Sequence, residues 1–264
     1  MVNKKYNHLL LENKVCVITG AASIRSIGYA TAELFAAHGA KLVLLDLAMN
    51  EQIADEIKHK ISAEIGFEPE IICLSCDITQ AQECENVLKK AIDEFGTIDC
   101  LVHCAGIVKS EGMLSIKDAD YEMVMDVNLK GTFNICKAVL NIFTKKQSGV
   151  IVNLASLAAQ RGGGLVGGSH YAASKGGVIS LTRSIAREFA PMNIRANVIC
   201  PAMIETSMLD GLSEAQLDQV ISTIPLKRVG KTVELAGTCL FLASELSGFI
   251  TGATIDVNGG IHIH

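Results

Sequence analysis

The sequence predicts an α/β chain built on a doubly wound fold, a seven-stranded parallel sheet flanked by helices on both faces. Three observations predict it. Short apolar runs rich in β-branched residues alternate with amphipathic helical stretches along the chain. The runs are continuously apolar, as strands covered on both faces require. Small or acidic residues or a proline follow them, namely Gly20, Asp46, Asp77, Gly106, Ser156 and Pro201, and ligands of such sheets bind at the carboxyl ends of the strands. No linker-like stretch divides residues 1–264, so the expectation is one domain.

Taken in order, strand 14–19 ends at Gly20 and a helical pattern covers Ile27–Ala37. Between them lies Thr19-Gly20-Ala21-Ala22-Ser23-Ile24-Arg25-Ser26-Ile27-Gly28, small residues at a helix N-terminus whose backbone N–H groups suit a pyrophosphate. Strand 41–45 closes at Asp46, where a carboxylate can meet adenosine ribose hydroxyls. Together these favour a dinucleotide-binding Rossmann unit. Helix Glu51–Ile65 leads to strand 71–76 and Asp77, and helix Ala81–Phe95 leads to strand 99–103, then Ala105-Gly106. Helix 121–143 precedes strand 149–155, and helix 171–189 precedes strand 195–200, stopped by Pro201. Helix 234–243 and strand Thr254–Val257 close the pattern.

Composition excludes several classes. Hydrophobic residues make up 49% and charged residues 19%, enough for a large core and too apolar for disorder. The net charge of -5, with no basic stripe, argues against nucleic acid or an anionic membrane as partner. Met1 to His8 is polar and lacks a signal core, and no apolar run approaches the ~20 residues of a membrane span, so a cytoplasmic location is expected. Nine cysteines then read as reduced thiols. Cys73 and Cys76 lie three apart on a strand, pointing to opposite faces, and lack a second ligand pair; Cys100 and Cys104 read as core. His262 and His264 are two ligands, which do not make a metal site, so no metal is expected.

The chemistry centres on Ser169-His170-Tyr171-Ala172-Ala173-Ser174-Lys175. If Tyr171 opens a helix, Lys175 lies one turn along the same face. A phenol of pKa ~10 transfers protons poorly at neutral pH, and a fixed cation beside it favours the phenolate. Tyr171 is therefore the candidate general acid/base.

These motifs resemble the classical short-chain dehydrogenase/reductase family from about Leu11 to Gly260. Thr19-Gly20 with Ile27-Gly28 is similar to its phosphate loop, Asp77 to its adenine-contacting acid and Val127-Asn128 to its helix asparagine. Ser156, Tyr171 and Lys175 are similar to its catalytic trio, and Asn197 to Pro201 and Val257 to Gly260 to its closing motifs. The resemblance implies hydride transfer between a nicotinamide and a carbinol carbon, with Tyr171 moving the proton and Ser156 holding the substrate oxygen. Lys175 would lower the phenol pKa and hold ribose hydroxyls, and Asn128 would anchor a water leading to solvent. Implied cofactor contacts are Gly20, Ser23, Ser26, Ile27 and Gly28 in the loop, Asp46 and Leu47 after the second strand, and Asp77 and Ile78 after the third. Cys104, Ala105, Gly106, Tyr171, Lys175, Pro201, Ile204 and Thr206 complete the set. A homotetramer paired through the last helix and strand is also implied.

Three departures stand out. The phosphate loop is two residues longer, with Ile24 to Ser26 in the neighbourhood of the middle glycine, as in the enoyl-carrier-protein reductase branch; the Tyr-x-x-x-Lys spacing instead matches the alcohol and ketone enzymes. The family's Asn-Asn-Ala-Gly is His103-Cys104-Ala105-Gly106. The loop between Ser156 and Tyr171 carries Gly162, Gly163, Gly164, Gly167 and Gly168, reading either as slack or as a reshaped substrate wall.

Asp46 suits a ribose diol and repels a 2′-phosphate, so NAD is favoured over NADP. Arg25 either reaches a phosphate or is a solvated loop residue. Residues 203–225 resemble a mobile substrate loop, with Met203, Met208 and Leu209 as lining or packing residues. His170 faces pocket or solvent, and Arg161 is a candidate for an anionic substrate. The expected activity is an NAD-dependent interconversion of a secondary alcohol, such as a polyol or sugar, and its ketone. The alternatives are 3-oxoacyl carrier-protein reductase, hydroxysteroid dehydrogenase and an inert NAD(H)-binding sensor.

Overall fold

In a computed structural model that describes residues 9–164 and 166–264, the seven strands are β1 (Val15–Thr19), β2 (Lys41–Asp46), β3 (Ile71–Ser75), β4 (Cys100–His103), β5 (Gly149–Leu154), β6 (Ile194–Pro201) and β7 (Thr254–Val257). The expectation for residues 1–8 lies outside the described residues. The strands form one all-parallel sheet in the order β3-β2-β1-β4-β5-β6-β7. The chain steps outward from β1 to β3, then returns to place β4 on the other side of β1, which opens a crevice beyond the carboxyl ends of β1 and β4.

Two apolar layers hold the sheet between helices. One packs β1 and β2 residues such as Ile18, Leu42 and Leu44 against α1 (Ile27–Ala37) and α9 (Thr232–Ala243) through Phe35, Ala36, Leu235 and Cys239. The opposite layer joins Val17, Val43 and Leu101 to α3 (Ala81–Phe95) and α5 (Gly131–Lys146) through Leu88, Val139 and Phe143. Cys73 on β3 packs against the first layer and Cys76, just past the strand's end, lies in the second, and all nine cysteines are free thiols. Among the described residues no helix is long and apolar enough to cross a membrane.

Caps set the helix boundaries. Ser26 and Asn50 accept from Tyr29 N and Ile53 N to start α1 and α2 (Glu51–Ile65), and Gly66 and Gly96 end α2 and α3 with φ of 80° and 75°, backbone that glycine adopts without strain. The expected helix 121–143 is three pieces: α4 (Asp118–Met125), a π-helical turn (Asp126–Lys130) and α5. Asn128 sits in that turn, where a widened helix is a common mark of a functional position. Two further helices, α6 (Ala158–Arg161) and α8 (Glu214–Thr223), stand where the sequence suggested loop, the latter started by a capping box of Ser213 and Gln216. Helix α7 (Ser169–Phe189) begins two residues before Tyr171, placing the tyrosine within its first turn.

Candidate active site

The phosphate loop is shaped by two glycines. Gly20 has φ +71°, and a Cβ there would stand 2.8 Å from Ala105 N. A Cβ on Gly28 would meet Gly20 O at 2.3 Å, so the start of α1 lies directly on the β1 turn. The first turn of α1 carries no acidic residue. A bare helix N-terminus over a glycine turn fits an anionic pyrophosphate. Asp46, at the end of β2, accepts from Ala22 N and Ala48 N, each at 3.0 Å, which fixes its carboxylate beside the loop.

These residues line a cavity of about 450 Å³ together with Ser23, Ser26, Ile27, Leu47, Asp77, Ile78, Ala105 and Val127, and among the described residues its lining includes no lysine or arginine. A second cavity of about 380 Å³ shares Ile27, Cys104, Gly106, Thr206 and Met208 with the first and continues to Ser156, Tyr171, Lys175, Pro201 and Ile204. All seventeen expected cofactor contacts therefore line one or both of two cavities that share wall residues.

Within the second cavity the Ser156 hydroxyl stands beside Tyr171, and Ser156 Oγ accepts from Ala158 N at 3.1 Å. Burial raises the Tyr171 pKa above the usual phenol value, and the Ser156 hydroxyl offsets it in part. Lys175 is 5% exposed, donates to Leu154 O at 2.9 Å, and is pushed down to about 8 by burial. Lys175 is not among the groups that move the Tyr171 pKa here, since its ammonium is directed at the β5 carbonyl and burial of the phenol is the largest cause.

Asn128 lies behind the cavity, fully buried. Its amide N–H groups donate to Ile107 O (2.9 Å) and Ser174 Oγ (3.1 Å), and its Oδ1 accepts from Ile107 N (2.8 Å). Both donors are thus engaged, and the side chain ties the β4 loop to α7. A Cβ on Gly106 would stand 3.1 Å from Asn128 Oδ1 and 3.2 Å from Lys175 Nζ, so glycine lets the three meet.

His103, unassigned from sequence beyond its place in the motif, completes a one-way hydrogen-bond chain. Thr132 donates to Asn128 O at 2.5 Å and so accepts from His103 Nε2 at 3.0 Å. Burial pushes the imidazole pKa down to about 3, so it is neutral, and Nδ1 must accept from Thr19 Oγ1 at 2.8 Å. Thr19 in turn accepts from Cys104 N and Ala105 N at 3.1 Å each. The network connects the phosphate turn to the π-helical turn. Its signal in the sequence was a histidine inside an apolar strand.

Several open expectations are resolved. Arg25 forms a two-pronged ion pair with Asp210, at 2.9 and 2.7 Å, which ties the extra phosphate-loop residues to the segment before α8. The pair is exposed and adds little to stability. Arg25→Ala is therefore expected to leave the melting temperature nearly unchanged yet speed dinucleotide release several-fold in stopped-flow fluorescence; an unchanged release rate would refute this strap. His170 faces neither pocket nor solvent: it is 2% exposed, its ring nitrogens lack hydrogen bonds among the described residues, and Glu111 lies 3.8 Å away. The glycine loop is a wall, since Gly162, Gly163, Gly164 and Val166 line the second cavity. Ser110 Oγ accepts from Gly167 N and Lys109 O from Gly168 N, pinning the loop, and a Cβ on Gly167 would meet Tyr171 Cδ1 at 2.3 Å. Met203, Met208, Leu209 and Arg161 also line it, with Leu157, Val220, Ile224 and Ile261 extending an apolar wall that sequence reading did not assemble.

The fold and the crevice define a dinucleotide-binding protein of the dehydrogenase and reductase class. A family model described as "Enoyl-(Acyl carrier protein) reductase" matches residues 20–262, and the chain belongs to the short-chain dehydrogenase/reductase family. It is 41% identical to an uncharacterized short-chain type dehydrogenase/reductase of Sinorhizobium fredii, over 97% of this chain and 100% of that protein. It is 39% identical to the 3-oxoacyl-(acyl-carrier-protein) reductase FabG of Thermotoga maritima, over 96% of this chain and 99% of the relative. A crystal structure of a short-chain dehydrogenase/reductase, "SDR:Glucose/ribitol dehydrogenase" from Brucella melitensis, is similar at TM-score 0.85 and 38% identity, covering 97% of this chain and 100% of that one.

Proposed function

We propose that this chain is a single-domain, NAD(H)-dependent reductase of a ketone attached to an apolar chain, forming a secondary alcohol. The observation that carries the reading is the half-buried Tyr171, standing beside Ser156 and one helical turn from the buried Lys175 in a largely apolar cavity that shares wall residues with the dinucleotide crevice. Bound in that crevice, a nicotinamide supplies the hydride. Ser156 donates to the substrate oxygen and Tyr171 delivers the proton as that oxygen gains charge. Lys175 stays close to the crevice behind them, where by family resemblance it holds ribose hydroxyls. Asn128 and His103 act by holding the β4 turn, α7 and the π-helical turn in register. Tyr171 and Lys175, one turn apart on α7, support carbonyl reduction over the carbon–carbon double-bond chemistry in the family model's description.

NAD(H) is preferred because Asp46 stands at the adenosine end, Arg25 is engaged by Asp210, and the described lining there carries no cation. Relatives named as 3-oxoacyl reductases and the apolar wall both favour an acyl substrate over the polyol expected from sequence alone. The sugar or polyol reading keeps the printed name of the Brucella melitensis neighbour in its favour. A panel of 3-oxoacyl thioesters, apolar ketones and keto sugars decides between them. Higher kcat/KM for thioesters, rising with chain length, supports the proposal, and preference for keto sugars overturns it.

A raised phenol pKa keeps Tyr171 protonated through neutral pH, which is the donor form for reduction. The reduction rate is therefore expected to be flat across neutral pH and to fall on the alkaline side, while alcohol oxidation climbs about tenfold per pH unit over the same neutral range. A reduction rate already falling at neutral pH would show the phenol titrating lower. The homotetramer is carried by resemblance, and a monomeric mass in light scattering would remove it.

A further inference from the structure

We propose that Asp256, His262 and His264 form a site for a divalent transition-metal ion of the zinc class, which fastens the segment after β7 against α6 and so sets one wall of the substrate cavity. The ligand atoms of these three side chains already lie within 4.8 Å of one another. Tetrahedral zinc with bonds of about 2.0–2.2 Å needs ligand atoms roughly 3.3–3.5 Å apart, so small side-chain rotations close the site. Asp256 Oδ2 and His264 Nε2 are at 3.1 Å. The rings of His262 and His264 meet edge to face at 82°, with centroids 4.7 Å apart. Two imidazoles and one carboxylate suit zinc, nickel or cobalt, whereas calcium and magnesium favour all-oxygen sites.

A second observation points the same way. His264 Nε2 faces Asp256 Oδ2, an acceptor, and also Gln160 Nε2, a donor, at 3.3 Å. In neutral imidazole one nitrogen cannot donate to the first and accept from the second. A cation takes the lone pair of Nε2 and a carboxylate oxygen together, removing the conflict. Gln160 Nε2 also donates to Asp256 Oδ1 at 2.8 Å, orienting the carboxylate from outside the site, while Gln160 Oε1 is buried and has no partner among the described residues.

The position gives the site a purpose. Gln160 and Arg161 lie on α6, which begins two residues after Ser156. Arg161 Nη1 donates to Ile261 O at 3.0 Å, Asn258 Nδ2 donates to His262 O at 2.9 Å, and Ile261 lines the substrate cavity. A metal ion here would hold Ile261 and α6 as one unit.

The test uses the full chain without an affinity tag, stripped with a chelator, dialysed against micromolar zinc and analysed by elemental emission. The expected result is one zinc per chain, with affinity lowered at least a hundredfold in a His262→Ala/His264→Ala double variant and at least tenfold in Asp256→Asn. Far-ultraviolet circular dichroism checks that the variants fold. Cobalt should give visible d–d bands without the near-ultraviolet charge-transfer band of thiolate ligands, separating the site from the cysteines. No zinc retained by the parent chain, equal retention by the double variant, or a thiolate band would each overturn the proposal.

Discussion

Replacing Tyr171 by phenylalanine is expected to lower kcat by about 10²–10⁴-fold while dinucleotide affinity stays within about twofold. The ring still fills its space against Gly167, where a Cβ would lie 2.3 Å from Tyr171 Cδ1, so the wall of the cavity is kept. What disappears is the proton donor beside Ser156 in the second cavity. Parallel measurement of kcat and of NADH binding by fluorescence separates the two effects. Near-normal turnover would remove Tyr171 from the chemistry.

Asp46→Ala is expected to lower kcat/KM with NAD(H) by about tenfold or more and to raise the NADP(H) value, shifting their ratio by about 10–100-fold, or roughly 1.4–2.8 kcal/mol. The effect is electrostatic: a fixed carboxylate accepts from ribose hydroxyls and repels a 2′-phosphate. Because the same carboxylate also accepts from Ala22 N and Ala48 N, Asp46→Asn is the companion variant, retaining an acceptor while deleting the charge. If both variants keep the parent's ratio, discrimination resides elsewhere.

The fold was legible because each strand is a run of apolar, β-branched residues bounded by a turn residue. The crevice was legible for a related reason, since Gly20, Asp46, Asp77, Gly106 and Ser156 all follow strands. The unforeseen parts lack such signals. Helix α8 carries Leu217, Val220 and Ile221 at helical spacing but buries none of its residues and lies in the stretch that resembles a mobile loop, so its short stripe was outweighed. The π-helical turn keeps helical spacing on either side of Asn128, and the sequence reads straight through it. Asp256 belongs by pattern to β7, so its approach to His262 and His264 depends on how the following segment folds back. Arg25 and Asp210 are 185 residues apart, and nothing in either neighbourhood names the other. Burial of Tyr171 and Lys175 likewise depends on the assembled cavity, which is why the expected lowering of the phenol pKa gave way to a rise.

NADH-dependent carbonyl reduction in this crevice is tested by loss of NADH absorbance on mixing the protein with a 3-oxoacyl thioester. Steady consumption, with one hydroxyacyl product formed per NADH, is the predicted result. Tight NADH binding without consumption by any thioester, ketone or keto sugar would contradict it and favour a dinucleotide sensor instead.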